Sequence, residues 1–153
     1  MASTLKLKKS SVVGKVPLTT DLDYGELAIN YQDGKLFYKN AGNSVVNITD
    51  SRTASTASGA TITPTAGASD VYEVTALATN ATVAAPSGTP VANQKLLLKI
   101  KDDGTARTLT WDAIYRGINL TIPTTTTATK VLYVGCIYNA GDSKWDVLAT
   151  AQS

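Results

Sequence analysis

Three carboxylates lie close together near the start of the chain, Asp21, Asp23 and Glu26, and an acidic pair, Asp102-Asp103, precedes Gly104. Carboxylates at such spacing could act as general acid and base if their surroundings drove their pKa values apart. However, Asp21 and Asp23 lie in a polar, turn-like stretch where capping and solvation account for them, and Asp102-Asp103-Gly104 reads as a turn. Neither group has the alternating oxygen ligands of a calcium loop. Cys136 is the single cysteine, and there is no histidine. A thiol without histidine lacks its usual base, a lone cysteine closes no intrachain disulfide, and zinc sites built from Cys and His are excluded. Cys136 lies in an apolar run, 131–138, and reads as a small buried hydrophobe. Phosphate-cradling glycine loops, nucleophile elbows and zinc helix motifs are missing from the sequence. The expectation is a non-enzymatic protein with no cofactor and no metal. A carbohydrate-active enzyme would need an acid pair converging in a cleft.

Composition narrows the partners. The 153 residues carry a net charge of +2, and the basic residues cluster only at Lys6, Lys8, Lys9 and Lys15. Without interleaved aromatics this cluster reads as a solvated or anchoring arm, so no nucleic-acid partner is expected. No apolar run is long enough to span a bilayer, and the first residues carry no signal-peptide core, so neither membrane insertion nor signal-directed secretion is expected. The Asn-X-Ser/Thr triplets at Asn47, Asn80 and Asn119 are then chance matches in a Thr-rich chain.

The elements that would position any site are strands. Residues 25–39 spell a β-hairpin: Leu27, Ile29 and Tyr31 alternate with Ala28 and Asn30, and Leu36 and Tyr38 continue the pattern after Asp33-Gly34. Asp-Gly suits a type I′ turn with two positive φ values. A first strand is expected within 4–16. Residues 51–59 are small and polar and read as a linker. Beyond it, strand-like runs recur at 60–65, 71–76, 82–84, 95–101, 108–111, 118–122, 130–138 and 144–149, with hairpin turns at 102–104 and 139–142. Trp111 and Trp145 read as core residues whose ring N–H meets a carbonyl. No helical period is sustained. The fold class is therefore all-β: a hairpin-based module at 1–50, a linker at 51–59, and an antiparallel, jelly-roll-like β-sandwich at 60–153. An isolated hairpin is marginal in water, so its apolar face needs a cover, from this chain or from another copy. Thr124, Thr125, Thr126 and Thr127 form a polar loop, either simply solvated or a recognition surface for a glycan.

Leu5-Lys6-Leu7-Lys8, Gly14-Lys15-Val16-Pro17, the run 21–30 and Asp33-Gly34-Lys35-Leu36-Phe37-Tyr38-Lys39 resemble, in order and spacing, the N-terminal module of bacteriophage tail-fibre and major-tropism-determinant proteins. Residues 60–150 are similar to a β-domain that recurs in phage virion proteins. The resemblance implies a virion location and a homotrimer whose N-terminal module docks on other virion proteins of the baseplate, tail or capsid. It also implies that the C-terminal part faces outward, toward a host cell-surface glycan or protein. Leu27, Ile29, Leu36 and Phe37 are the candidates for the trimer and anchor interface. The chain lacks the repetitive shaft of long fibres, so a trimeric capsid decoration protein stands beside the short tail fibre as an alternative.

Overall fold

A computed structural model describes residues 7–153. The expected first strand falls partly at residues 4–6, outside the described residues. The chain divides into two compact units, Met1–Ser51 and Arg52–Ser153. Among the described residues there is no helix, and the fold is all-β.

The first unit is one four-stranded sheet in the order β1-β2-β3-β4. Its strands are β1 (Lys8–Ser10), β2 (Leu27–Asn30), β3 (Lys35–Lys39) and β4 (Val45–Asn47). The expected hairpin is β2–β3, paired antiparallel with Asn30 opposite Lys35. Four residues, rather than two, close it, and only Gly34 has a positive φ (67°). The reason is a side-chain turn. Asn30 Oδ1 accepts hydrogen bonds from the N–H groups of Gln32 and Asp33, and Asn30 Nδ2 donates to Asp33 Oδ2 at 2.8 Å. This draws Tyr31 out of the strand. β1 lies parallel to β2, so 11–26 is a strap that returns the chain to the start of β2.

The second unit departs from the antiparallel expectation. It adds β5 (Thr53–Thr56), β6 (Thr61–Ile62), β7 (Val71–Leu77), β8 (Ala81–Val83), β9 (Lys95–Asp102), β10 (Leu109–Trp111), β11 (Tyr115–Gly117), β12 (Val131–Asn139) and β13 (Lys144–Gln152). One sheet has the order β11-β13-β12-β9-β7-β5 and the other β10-β8-β6. Only β9–β12 and β12–β13 are antiparallel. The parallel pairs β5–β7 and β7–β9 in one sheet, with β6–β8 and β8–β10 in the other, follow from a chain that crosses between sheets after each strand from β5 to β10. β5–β6, β7–β8 and β9–β10 are thus three turns of a short parallel β-solenoid, each turn leaving one strand in each sheet. The corners stack as well. Thr65 and Ser87 bridge in parallel, and a Cβ on Gly88 (φ 83°) would lie 2.9 Å from Ala66 O, so only glycine fits there.

Two other expectations change with this topology. Residues 51–59 are no free linker: from Thr53 they form the edge strand β5, and Arg52 forks onto Asp70 through Nε (3.1 Å) and Nη2 (2.7 Å). Small Thr, Ala and Ser side chains serve an edge strand as readily as a linker. The turn at 102–104 leads to the other sheet instead of closing a hairpin, whereas 139–142 does turn β12 into β13. Both sheets feed one core, with Ile62, Val83 and Leu109 from the smaller sheet and Val74, Leu98, Val134 and Trp145 from the larger.

Candidate functional site

The first unit separates the four interface candidates. Cross-strand pairs place Leu27 beside Tyr38 and Ile29 beside Leu36 on one face, with all four half-buried. Ala28 and Phe37 are paired on the other face, where Phe37 is 3% exposed beneath the strap with Leu22. Phe37 is therefore removed from the candidate interface: the pleat turns it toward its own unit's core, and a buried ring cannot meet another copy. The strap is latched over this face by Asn30 Nδ2, which donates to Val12 O (2.9 Å) and Lys15 O (3.1 Å), and by Gly14 N–H donating to Asp33 Oδ2 (2.7 Å). Between strap and sheet lies a groove of about 420 Å³ floored by Ala28 and Phe37 and edged by Lys8 and Lys15. Sequence reading missed the latch, although an Asn followed by an Asp three residues on is a turn-forming pattern.

Apolar side chains remain uncovered on this small unit. Val12, Val13, Val16, Leu18, Tyr24, Tyr31 and Ile48 make up seven of the ten large hydrophobics exposed among the described residues, with Val13 at 74%. Five of the seven, Val12, Val13, Val16, Leu18 and Tyr24, lie on the strap.

The acidic cluster has structural employment. Glu26 Oε2 accepts from Lys8 Nζ (2.9 Å) and Asp23 N–H (2.8 Å), which together hold its carboxyl below the usual carboxylate range, while Asp21 Oδ2 accepts from Leu18 N–H (2.8 Å). At the second acidic pair, Asp102 is buried. Burial pushes its pKa up, but this is outweighed by hydrogen bonds from the Thr126 hydroxyl (2.8 Å) and from the N–H groups of Thr129 and Gly104, so it lies below the usual value.

Thr126 accordingly leaves the proposed recognition loop. It is 3% exposed, and its oxygen also accepts from Arg107 N–H at 2.9 Å, whereas Thr124, Thr125 and Thr127 are exposed. Thr126→Val is expected to cost about 1–3 kcal/mol, because it removes the hydroxyl that donates to Asp102 Oδ2 and accepts from the Arg107 N–H. A carboxyl with a lowered folded pKa contributes stability above its unfolded value, near 3.9, and that contribution is lost as pH falls through the folded value. Urea titrations should therefore show a smaller acid-induced loss in the variant than in the parent.

Cys136 is buried, and burial pushes its thiol pKa up to about 12. An aromatic disulfide reagent at pH 8 is expected to label it only after unfolding, and stoichiometric labelling of the folded protein would contradict its placement. Trp111 Nε1 donates to Pro123 O at 2.7 Å as expected. Trp145 is fully buried against Tyr138, but among the described residues its Nε1 meets no carbonyl, contrary to expectation.

No protein-family model matches the chain, and no curated protein matches it in sequence. Among solved structures it is similar to a chain described as "Structure of a chaperone-substrate complex", at 13% identity and a TM-score of 0.41 over 76% of this chain. The match spans 20% of that chain's length. Neither fold nor function is carried over at that level of likeness.

Proposed function

We propose that this chain is a non-enzymatic structural protein of a bacteriophage virion, a short homotrimeric tail fibre. Its first unit assembles three copies and attaches to neighbouring virion proteins; its second unit presents the surface that meets the host. The observation that carries this reading is the half-covered apolar face of Leu27, Ile29 and Leu36, on the unit whose sequence resembles a phage anchor module and which bears seven of the ten exposed large hydrophobics among the described residues. Around a three-fold axis, copies of the face bearing Leu27, Ile29 and Leu36 would bury side chains that one chain leaves half-covered. The capsid-decoration alternative shares the trimer and differs in what it contacts. Purified protein is therefore tested against whole host cells and against expanded capsids. Binding to cells supports the fibre; binding to capsids without binding to cells overturns it in favour of decoration.

A further inference from the structure

The outward face of the larger sheet carries a depression. Leu96, Leu98 and Ile100 of β9 and Leu132, Val134 and Cys136 of β12 turn into the core, so Lys95, Leu97, Gly135 and Ile137 face outward. By register Leu97 lies opposite Gly135 and Lys95 opposite Ile137. A bulge between Gly135 and Cys136 shifts β13, and Leu148 stands 55% exposed at the edge. Lys95, Leu97, Gly135, Ile137, Leu148 and Ala149 border an open, shallow depression of about 300 Å³.

Gly135 is the anomaly. It sits in the interior of a strand paired on both sides, where glycine weakens a sheet. Its φ is not positive, and an added Cβ would meet nothing nearer than Ala149 O at 3.9 Å. Gly135 stands opposite the bulge at Leu148, one of the places where a strand takes glycine, and its missing side chain leaves the space above it open. Glycine inside a strand often marks a site where a ligand or another backbone approaches closely.

Charge selects the occupant. Asp70, which also lines the depression, is committed to Arg52, and Lys99 on the same face to Glu73. Lys95 forms no ion pair among the described residues, so the rim presents one uncompensated ammonium. We infer that this depression binds an acidic sugar residue of a host-surface glycan. The C–H face of the sugar packs over Gly135 against Leu97, Ile137 and Leu148, and its carboxylate or phosphate pairs with Lys95. This site rests on the host-recognition reading above and moves recognition away from the threonine loop.

The test uses the full chain on immobilised alginate (carboxylate), wall teichoic acid (phosphate) and neutral dextran, with Gly135→Val, Lys95→Gln and the distant control Lys130→Gln. Expected is salt-sensitive binding to at least one acidic polymer over dextran. It should be weakened tenfold or more by Gly135→Val and Lys95→Gln and unchanged by Lys130→Gln, and the preferred polymer identifies the anion. Should Gly135→Val fail to fold, Lys95→Gln decides. No preference for an acidic polymer, or equal binding by the variants, overturns the site. Host cells bound equally by parent and variants, or bound only until treated with protease, leave host recognition standing and remove this site. Polymer binding with no cell binding keeps the site and counts against the fibre.

Discussion

Phe37→Ala is expected to unfold the first unit while leaving the second intact. Phe37 is the only phenylalanine in the sequence, and with Leu22 and Ala28 it forms the buried apolar set of its unit among the described residues. Removing such a ring costs about 3–5 kcal/mol. A unit of this size has a total stability of only a few kcal/mol, at about 0.05–0.15 kcal/mol per residue, so one substitution consumes most of it. Both tryptophans belong to the second unit, so their fluorescence reports on that unit alone. In the variant the tryptophan-detected melt should be unchanged, while amide exchange protection across β2 and β3 collapses. Retained protection there would mean that Phe37 does not carry the core of the unit.

Ile29→Asp is expected to do the opposite, keeping the fold and dissolving the assembly. Ile29 and Leu36 face away from Phe37, so a carboxylate at Ile29 reaches solvent in a free chain. In a trimer it would bring three like charges toward one axis and forfeit about 2 kcal/mol of apolar burial per subunit. Light scattering should give three times the 16.0 kDa chain mass for the parent and one chain mass for the variant, with unchanged far-ultraviolet dichroism. A parent that is already a monomer at micromolar concentration would contradict the assembly reading.

These two substitutions lie on adjacent strands, and the pleat alone separates their effects. Leu36 and Phe37 were expected at one interface although neighbours on a strand point to opposite faces, and which face the strap covers depends on the Asn30 latch, a contact with residues 15 and 18 positions away. The long strands were legible for the same reason of alternation: 71–76, 95–101 and 144–149 lie within observed strands, and 130–138 matches β12 from Val131 on. Apart from the β12–β13 hairpin, marked by its turn at 139–142, their partners were not, because register between distant strands leaves no local trace. The solenoid escaped notice because its turns are unequal. Thr53 stacks on Val71 and Val71 on Leu97, separations of 18 and 26 residues, so no fixed period appears in the sequence. Residues 118–122 were expected as a strand, yet β11 lies just before them, and the chain then turns so tightly that a Cβ on Gly117 would collide with Leu120 O. Gly135 read as one small residue in an apolar run until the register placed it on the outward face.

The central claim, that this chain is built into phage particles as a short fibre, is tested most directly by counting its copies in purified virions with isotope-labelled peptide standards. The account predicts a few tens of copies or fewer, in a multiple of three. Hundreds of copies would contradict the fibre in favour of capsid decoration, and absence from the particle would contradict the account altogether.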